Sequence, residues 1–215
     1  MCCCKILSKI FGAKKSERRA EIRRTTTETD ILVKLNIDGS GKSKIDTGIG
    51  FLDHMLELFA FWGLFDLEII TKRGDLKVDI HHTNEDIGIV LGQTFKKALG
   101  EKKGINRIGS ASVPMEEVSA TVILDISGRG SIFFAFLSGE QAQPKDGYSL
   151  KDGEHFLESL ASHLGVNMHI KIPVTSNDLH ITLEPAFKAL GIALDNATRI
   201  DSRRKGVSSS KGIID

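Results

Sequence analysis

The chain has 215 residues, of which 40% are hydrophobic and 27% charged, a composition typical of globular proteins that bury a sizeable core. Its formal net charge is only +1, so the chain as a whole offers no strong attraction to nucleic acid or to an acidic membrane surface. No stretch of the sequence approaches the roughly 20 consecutive apolar residues that a membrane-spanning helix needs.

The first 24 residues form a basic extension with eight Lys or Arg and two Asp or Glu, a net charge of +6 (8 − 2). The cysteines of the chain are Cys2, Cys3 and Cys4, and adjacent cysteines do not build a disulfide framework, so we expect a cytoplasmic protein in a reducing compartment. Acylation of these cysteines beside the basic patch would give a peripheral membrane anchor. We favour a disordered or cloning-derived tail, so membrane contact is expected only if Cys2 to Cys4 are acylated.

Regular structure is predicted from residue 25 onward, beginning with a first lobe over residues 25–104. Alternating apolar residues predict a strand over 30–37, and the turn that follows should return the chain as a paired strand over 42–47. An apolar helical run, a further strand and an amphipathic helix that ends at Gly100 follow, over 51–62, 65–71 and 86–99.

The second half repeats this order of elements over residues 105–201. The sequence predicts two strands paired around a glycine turn, then a helix, a strand and a last helix, over 118–126, 131–137, 153–164, 167–172 and 184–197. Pro185 is tolerable in that last helix only within its first turn. We therefore predict an α+β fold of duplicated lobes, each a small sheet with two helices, with the helices packed between the two sheets. Residues 202–215 should form a C-terminal tail that stays flexible until a ligand binds.

A pattern of histidines and glutamates occurs once in each lobe. The first copy contains His54, His81, His82 and Glu85, and the second contains His155, His180 and Glu184. The two leading histidines are 101 positions apart (155 − 54) and the two glutamates 99 apart (184 − 85), so the repeat keeps its register. Chance spacing of unrelated histidines is the alternative, but a repeated pattern favours one compound metal site built from two related lobes.

The spacing within each copy suits metal binding for a geometric reason. Residues four apart lie on one face of a helix, so His81 with Glu85, and His180 with Glu184, can each hold one ion. Adjacent helical residues point about 100° apart, so His81 and His82 would serve two ions rather than share one. Imidazole and carboxylate ligands suit Mn, Fe, Zn, Co or Ni better than Ca or Mg.

Seven ordered motifs between Arg24 and the C-terminus extend this pattern over most of the chain. They are RTTTET at 24–29, GIGFLDHML at 48–56, DIHHTNED at 79–86, VPMEE at 113–117, DISGR at 125–129, FKA at 187–189 and SSKG at 209–212. Together they resemble the imidazoleglycerol-phosphate dehydratase family of histidine biosynthesis. The implied reaction is the dehydration of imidazoleglycerol phosphate to imidazoleacetol phosphate.

The resemblance also implies a fold, an assembly and a site. The fold would be ribosomal protein S5 domain 2-like, and the chain would form a homo-oligomer built from trimers, a 24-subunit shell with active sites between subunits. Two manganese ions per site would be held by His54, His81, His82, Glu85, His155, His180 and Glu184. Glu28, Glu85 and Glu184 would be catalytic. The phosphorylated imidazole substrate would contact Glu28, Arg107, Arg129, Lys188, Ser209 and Lys211, with the tail 202–215 binding its phosphate. For Arg107, Arg129 and Lys188 taken singly, a solvated surface charge remains the alternative.

The chain departs from the family pattern at the site itself. With Glu184 fixed, Ile181 occupies the place of the second histidine of the second motif, opposite His82 in the internal repeat. Isoleucine cannot bind metal, so the second metal site is expected to be weakened. Glu57 and Trp62 stand where the family has glutamine and histidine.

Three other functions remain to be weighed against an active dehydratase. The first is a catalytically impaired paralogue that keeps the oligomeric shell as a binding or structural protein, which the isoleucine favours. The second is a metal hydrolase of another phosphorylated substrate. A nucleic-acid binder is disfavoured, because the basic tail lacks interleaved aromatic residues.

Overall fold

Two lobes of the same construction follow one another along the chain in the computed structural model, which describes residues 18–139 and 141–214. The predicted acylation at Cys2 to Cys4 lies outside these residues. The first lobe contains β1 (Arg19–Thr25), β2 (Asp30–Asn36), β3 (Ser43–Asp46), α1 (Gly50–Gly63), β4 (Asp66–Arg73) and α2 (His81–Leu99). The second contains β5 (Ile108–Met115), β6 (Val118–Asp125), β7 (Ser131–Gly139), α3 (Leu150–Leu164), β8 (Asn167–Thr175) and α4 (Leu179–Thr198).

Each lobe is a four-stranded sheet covered by two helices, as the predicted α+β fold requires. The strand orders are β1-β2-β4-β3 and β5-β6-β8-β7. The inward residues of β2 and β6, such as Ile31, Val33 and Val122, are completely buried. The helices of both lobes meet in pairs, α1 with α4 and α2 with α3, so they lie between the two sheets. Among the described residues, no helix is both long and apolar enough to cross a membrane.

The strand pairings predicted around the two turns are wrong. β3 pairs with β4 in parallel instead of returning against β2, and β7 pairs in parallel with β8 instead of with β6. In the first lobe β4 lies between β2 and β3, and in the second β8 lies between β6 and β7, so the strands joined by each turn are not neighbours in the sheet. Turn residues report only local geometry, and they cannot indicate that a strand from further along the chain takes the central place.

The first strand of each sheet was not predicted. β1 begins at Arg19, inside the segment assigned to the basic extension, so the first lobe starts before residue 25. β5 was also missed. Both are edge strands whose residues alternate between exposed and at most partly covered positions, with one buried glycine in β5. Polar edge strands of this kind carry a weak hydrophobic signal.

Two helices begin five residues earlier than predicted, and this places the metal motifs within their first two turns. α2 starts at His81 and α4 at Leu179. The side chain of Asp178 caps α4, since it accepts a hydrogen bond from the His180 backbone N–H at 2.8 Å. Pro185 therefore lies beyond the first turn, contrary to expectation, and has no N–H to donate to the carbonyl of Ile181.

Glycines allow the paired helices to approach closely. A Cβ at Gly88 or Gly92 of α2 would lie 2.7 Å from the Phe156 carbonyl oxygen or 2.8 Å from that of Leu160, both in α3. A Cβ at Gly191 of α4 would lie 2.5 Å from the Phe59 carbonyl oxygen in α1. This close approach brings side chains from opposite lobes within reach of one another.

Replacing Gly88 with alanine should force α2 and α3 apart. We expect the free energy of unfolding to fall by about 1–3 kcal/mol, the usual cost of overpacking. Gly50→Ala is the matched control, because a Cβ there meets no atom within 4 Å. Urea unfolding of both variants measures the difference, and equal stabilities would contradict this account of the helix crossing.

The carboxylate of Asp66 fixes the loop that connects β2 to β3. Its Oδ1 accepts hydrogen bonds from the backbone N–H groups of Ser40 at 2.8 Å and Lys42 at 3.3 Å. Burial raises the pKa of Asp66, but these and the neighbouring hydrogen bonds outweigh it, and the pKa lies below its ordinary value.

Because this pKa is lower in the folded protein, the ionised Asp66 stabilises the fold above the ordinary carboxyl pKa of about 3.9. That stability is lost as the pH falls from there through the folded pKa. Asp66→Asn should remove this part of the acid dependence, measured as the slope of unfolding free energy between about pH 5 and pH 2. An unchanged slope would contradict the assignment.

Candidate metal centre

The first cluster of metal-ligating side chains combines α1 of the first lobe with α4 of the second. His54 Nε2 lies 3.2 Å from His180 Nε2 and 3.3 Å from Glu184 Oε2. His180 also contacts Glu184 directly, one helical turn away. One donor atom from each of the three residues falls within 4.8 Å of the others, so the set can converge on a single ion.

The two oxygens of Glu184 serve different partners. Oε2 faces the two imidazoles, whereas Oε1 forms an ion pair with Lys188 one turn further along α4. Burial raises the pKa of Glu184, but hydrogen bonds from Lys188 and His180 outweigh it and hold the pKa below its ordinary value. The carboxylate is therefore ionised at neutral pH, the form that binds metal. Lys188 Nζ also lies 5.9 Å from the ring centroid of Trp62, within cation–π range.

The second cluster also draws on both lobes, but its donor atoms do not meet at one point as those of the first do, because His81 faces His155 with Nδ1 and Glu85 with Nε2. His155 of α3 faces His81 of α2, with their Nδ1 atoms 3.3 Å apart and their ring centroids 5.0 Å apart. Glu85, one turn along α2, has Oε2 4.0 Å from His81 Nε2. The repeat thus builds two cross-lobe clusters within one chain, where we had expected one compound site.

His82 points away from both clusters, as its position beside His81 predicts. Its Nδ1 lies 2.9 Å from Asp75 Oδ2 and 3.8 Å from Glu28 Oε2. The hydrogen bond with Asp75 and the charge of Glu28 raise the pKa of His82. A cavity of about 240 Å³ lies beside these groups and is lined by Arg24, Thr26, Glu28, His82, Glu85, Asp86 and Ile89.

The second lobe lacks the counterpart of this pair. The backbone N–H of Asp75 donates to Thr83 Oγ1 at 2.9 Å, and the N–H of Ser176 donates to Thr182 Oγ1 at 3.0 Å. Ser176 therefore stands at the place of Asp75, and Ile181 at the place of His82. Ile181 is half-buried and packs against the hydrophobic core. The two lobes differ at a histidine and also at the carboxylate that orients it.

The residues assigned to phosphate binding have other partners in the single chain. Arg107 forms a two-pronged ion pair with Asp125, at 2.6 and 2.9 Å, and donates to the Ser208 carbonyl oxygen at 2.9 Å. Its φ of 75° is unusual for a non-glycine residue. Ser208 donates in turn to the Ile105 carbonyl oxygen, so this part of the tail lies against the second lobe.

Three further members of the phosphate set, Arg129, Ser209 and Lys211, are at least partly exposed. Arg129 and Lys211 are exposed, and Ser209 is half-buried and accepts a hydrogen bond from the Lys211 N–H at 3.2 Å. The tail therefore starts docked at Ser208 and presents its SSKG segment outward.

Several residues around the clusters gave no signal in the sequence. Asp75 lies six positions before His81 (81 − 75) in an irregular loop, where no periodicity marks it. Trp62 was noted only as a departure from the family pattern, and its contact with Lys188 depends on the packing of α1 against α4. Only the internal repeat could have pointed to Ser176, and only after its register was known.

The donor sets fit divalent transition-metal ions. Each cluster offers two imidazoles and a carboxylate, the ligand combination of Mn, Fe, Zn and related ions. In the first cluster the two imidazole nitrogens lie 3.2 Å apart with a carboxylate against both, an arrangement that gains little as a packing motif but suits coordination. The residues present therefore fit a metal centre.

Comparison with known proteins gives one consistent result. The family model for imidazoleglycerol-phosphate dehydratase matches residues 47–194. The chain is 50% identical over 198 residues to the imidazoleglycerol-phosphate dehydratase of Acetivibrio thermocellus, covering 92% of this chain and all of that protein. It is 49% identical over 206 residues to that of Maridesulfovibrio salexigens, covering 93% of this chain and all of that one.

Solved structures agree with the sequence relatives. The dehydratase structure from Staphylococcus aureus is 31% identical, with a TM-score of 0.73 over 85% of this chain and 99% of that one. The one from Pyrococcus furiosus is 34% identical, with a TM-score of 0.75 over 89% of this chain and 99% of that one. The family model, the relatives of about half identity and the shared fold all coincide, and this chain belongs to the imidazoleglycerol-phosphate dehydratase family.

Proposed function

We infer that this chain is a hydro-lyase that dehydrates imidazoleglycerol phosphate to imidazoleacetol phosphate, a step of histidine biosynthesis. Membership of the family supports this activity. The observation that carries it in the molecule is the first cross-lobe cluster, where two imidazoles and a carboxylate converge on one point, together with its counterpart of His81, His155 and Glu85. The family is metal-dependent, and these clusters are the groups that would hold the metal.

We propose that the ions are manganese and that each active site uses two. His54, His180 and Glu184 would hold one, and His155, His81 and Glu85 the other. His82, which is oriented by Asp75 and points away from both clusters, would supply a ligand to a site of a neighbouring subunit. One of the two ions should bind more weakly, since the second lobe offers Ile181 where the first offers His82. When bound, such ions polarise the substrate imidazole and lower the cost of removing its proton.

The chain's own residues would carry the proton transfers and the binding. Dehydration removes a weakly acidic C–H proton and expels a hydroxyl as water, so a group that takes one proton and delivers one is needed. Glu28 is exposed beside His82 and the cavity, and we propose it for this task. Glu85 and Glu184 would act as metal ligands, each carboxylate offsetting part of the charge of its ion.

The phosphate would be held by Arg107, Arg129, Lys188, Ser209 and Lys211. Arginine forks and lysine charges suit a dianionic phosphate. In the single chain Lys188 lies on α4 beside Glu184, whereas the SSKG segment points outward, so a set drawn from more than one subunit explains how they could converge. We accordingly propose a homo-oligomer built from trimers, a shell of 24 subunits, with active sites between subunits. We place it in the cytoplasm, because residues 5–215 hold no cysteine to form disulfides.

A second candidate function is an impaired paralogue that keeps the assembly as a binding protein. The specific observation that favours it is the joint replacement of the Asp75–His82 pair by Ser176 and Ile181 in the second lobe. The convergence of His54, His180 and Glu184 on one point weighs against it.

Manganese titration followed by electron paramagnetic resonance tests the metal part of the proposal. We expect two ions per chain with unequal affinities, both lost on chelation. Binding of no ion by folded protein would contradict the metal assignment, and two ions of equal affinity would contradict the assigned effect of Ile181.

A further inference from the structure

Tyr148 is the single tyrosine of the chain, and its side chain is completely buried. It lies just before α3, in a tight turn where Lys145 and Tyr148 exchange backbone hydrogen bonds at 2.8 and 2.9 Å. Burial raises the pKa of Tyr148, so its hydroxyl keeps its proton and donates. A buried hydroxyl is costly unless it has a partner, which makes its contacts informative.

The hydroxyl reaches toward the cluster of His81, Glu85 and His155. It donates to Asn84 Oδ1 at 3.0 Å, and Asn84 Nδ2 donates to the Asp152 carbonyl oxygen at 2.8 Å. Asn84 is buried and precedes Glu85 in α2, while Asp152 lies in the first turn of α3, three residues before His155. The hydrogen bonds therefore join the two helix starts that bring this cluster together.

The ring of Tyr148 reaches toward the other cluster. It stacks on Phe51 of α1, with centroids 5.2 Å apart and planes inclined by 29°. Phe51 in turn meets the His180 ring edge-on, at 6.2 Å and 89°. The aromatic pair therefore supports the first cluster through the His180 ring.

We infer that Tyr148 is a positioning residue for both metal-ligand clusters. Its hydroxyl fixes the position of the helices that carry the second cluster, and its ring packs against the aromatic residue that supports the first. The inference rests on the proposed function, because it assumes that both clusters bind metal. Tyr148 touches neither an ion nor the substrate in this account. Its hydroxyl and its ring can be removed separately, which makes the two halves of the inference separately testable.

Tyr148→Phe removes the hydroxyl and keeps the ring. The readout is Co²⁺ titration followed by visible absorption of the bound ion, in a His54→Ala background that leaves only the second cluster and in a His155→Ala background that leaves only the first. We expect the Co²⁺ affinity of the second cluster, measured in the His54→Ala background, to fall about tenfold, the lower end for loss of an outer-shell partner. The Co²⁺ affinity of the first cluster, measured in the His155→Ala background, should stay unchanged.

Thr94→Val is the matched control, because it deletes a different buried hydroxyl. Thr94 lies in α2 and donates to the Val90 carbonyl oxygen at 2.7 Å. This variant should leave Co²⁺ affinity and spectrum unchanged. Tyr148→Leu, which also removes the ring, should weaken both clusters. If Tyr148→Leu fails to fold, Tyr148→Phe still decides the role of the hydroxyl.

Equal Co²⁺ affinities for Tyr148→Phe and the otherwise unchanged background would overturn the inference and leave the proposed function intact. A loss of the same size in Thr94→Val would also overturn it, because the effect would then be general. Failure of the chain with unaltered residues to bind Co²⁺ would overturn the inference together with the proposed metal centre.

Discussion

His54→Ala should abolish nearly all turnover of imidazoleglycerol phosphate. His54 is the ligand that α1 brings to His180 and Glu184 from the opposite lobe, so its loss leaves α4 with one imidazole and one carboxylate. A bound ion supplies several kcal/mol of transition-state stabilisation, and each 1.36 kcal/mol is tenfold in rate. We therefore expect kcat/KM to fall about 10³-fold or more, together with the loss of one manganese ion per chain.

His169→Ala is the matched control for this prediction. His169 is exposed on β8, where its ring stacks on Phe133 with centroids 4.8 Å apart, on a sheet face away from the clusters. It should keep its metal content and its kcat/KM. If both variants retained full activity, or both lost it equally, the first cluster would not be the catalytic metal centre.

Ile181→His should strengthen the weaker metal site. The substitution places a histidine at the position that corresponds to His82. Loss of even an outer-shell partner of a ligand commonly costs about 10–100-fold in metal affinity, so a gained ligand should raise the affinity by a comparable factor. We expect the weaker manganese affinity to rise by about that factor while the stronger one stays the same, measured by titration and paramagnetic resonance.

Ile181→Val separates ligation from packing. Ile181 packs against the core, so any substitution there can cost stability, and valine removes one methylene with no new donor. Its affinities should match those of the unaltered chain. The ligand argument would be contradicted by valine and histidine giving the same titration curve. Adding Ser176→Asp to Ile181→His would supply the missing orienting carboxylate and should tighten the site further.

The duplicated lobes could be predicted from the internal repeat, and the faces that carry the candidate ligands could be predicted from helical spacing. His81 with Glu85 and His180 with Glu184 are one turn apart, and helical geometry alone puts each pair on one face. The helices α1 and α3 were placed correctly except for one to three residues at their ends, since their apolar residues follow a clear helical period.

The pairing of strands and the partition of ligands depend on long-range packing, which no local pattern records. β4 and β8 take central places that the turn residues could not indicate. The exchange of lobes, with His54 meeting Glu184 and His155 meeting His81, follows from glycines that let the helices cross closely. Tyr148 became visible only as the hydrogen-bond partner of a residue far along the chain, and Asp75 only through the irregular loop that turns it toward His82.

Pro185 shows a different kind of failure. The rule that proline belongs in the first turn predicted a helix start at 184, yet α4 starts at Leu179 because Asp178 caps it there. The cap and the cluster at Glu184 outweigh the hydrogen bond lost at the Ile181 carbonyl. Tertiary contacts at a candidate site thus override a local preference.

Turnover of imidazoleglycerol phosphate by the assembled chain tests the central claim most directly. The protein would be stripped with a chelator, reconstituted with manganese, and assayed for imidazoleacetol phosphate beside an aliquot left without metal. We predict product only in the reconstituted sample, with the rate rising as the weaker site fills. Folded, assembled and manganese-loaded protein that forms no product, both as it stands and with Ile181→His, would contradict the claim and favour the binding role.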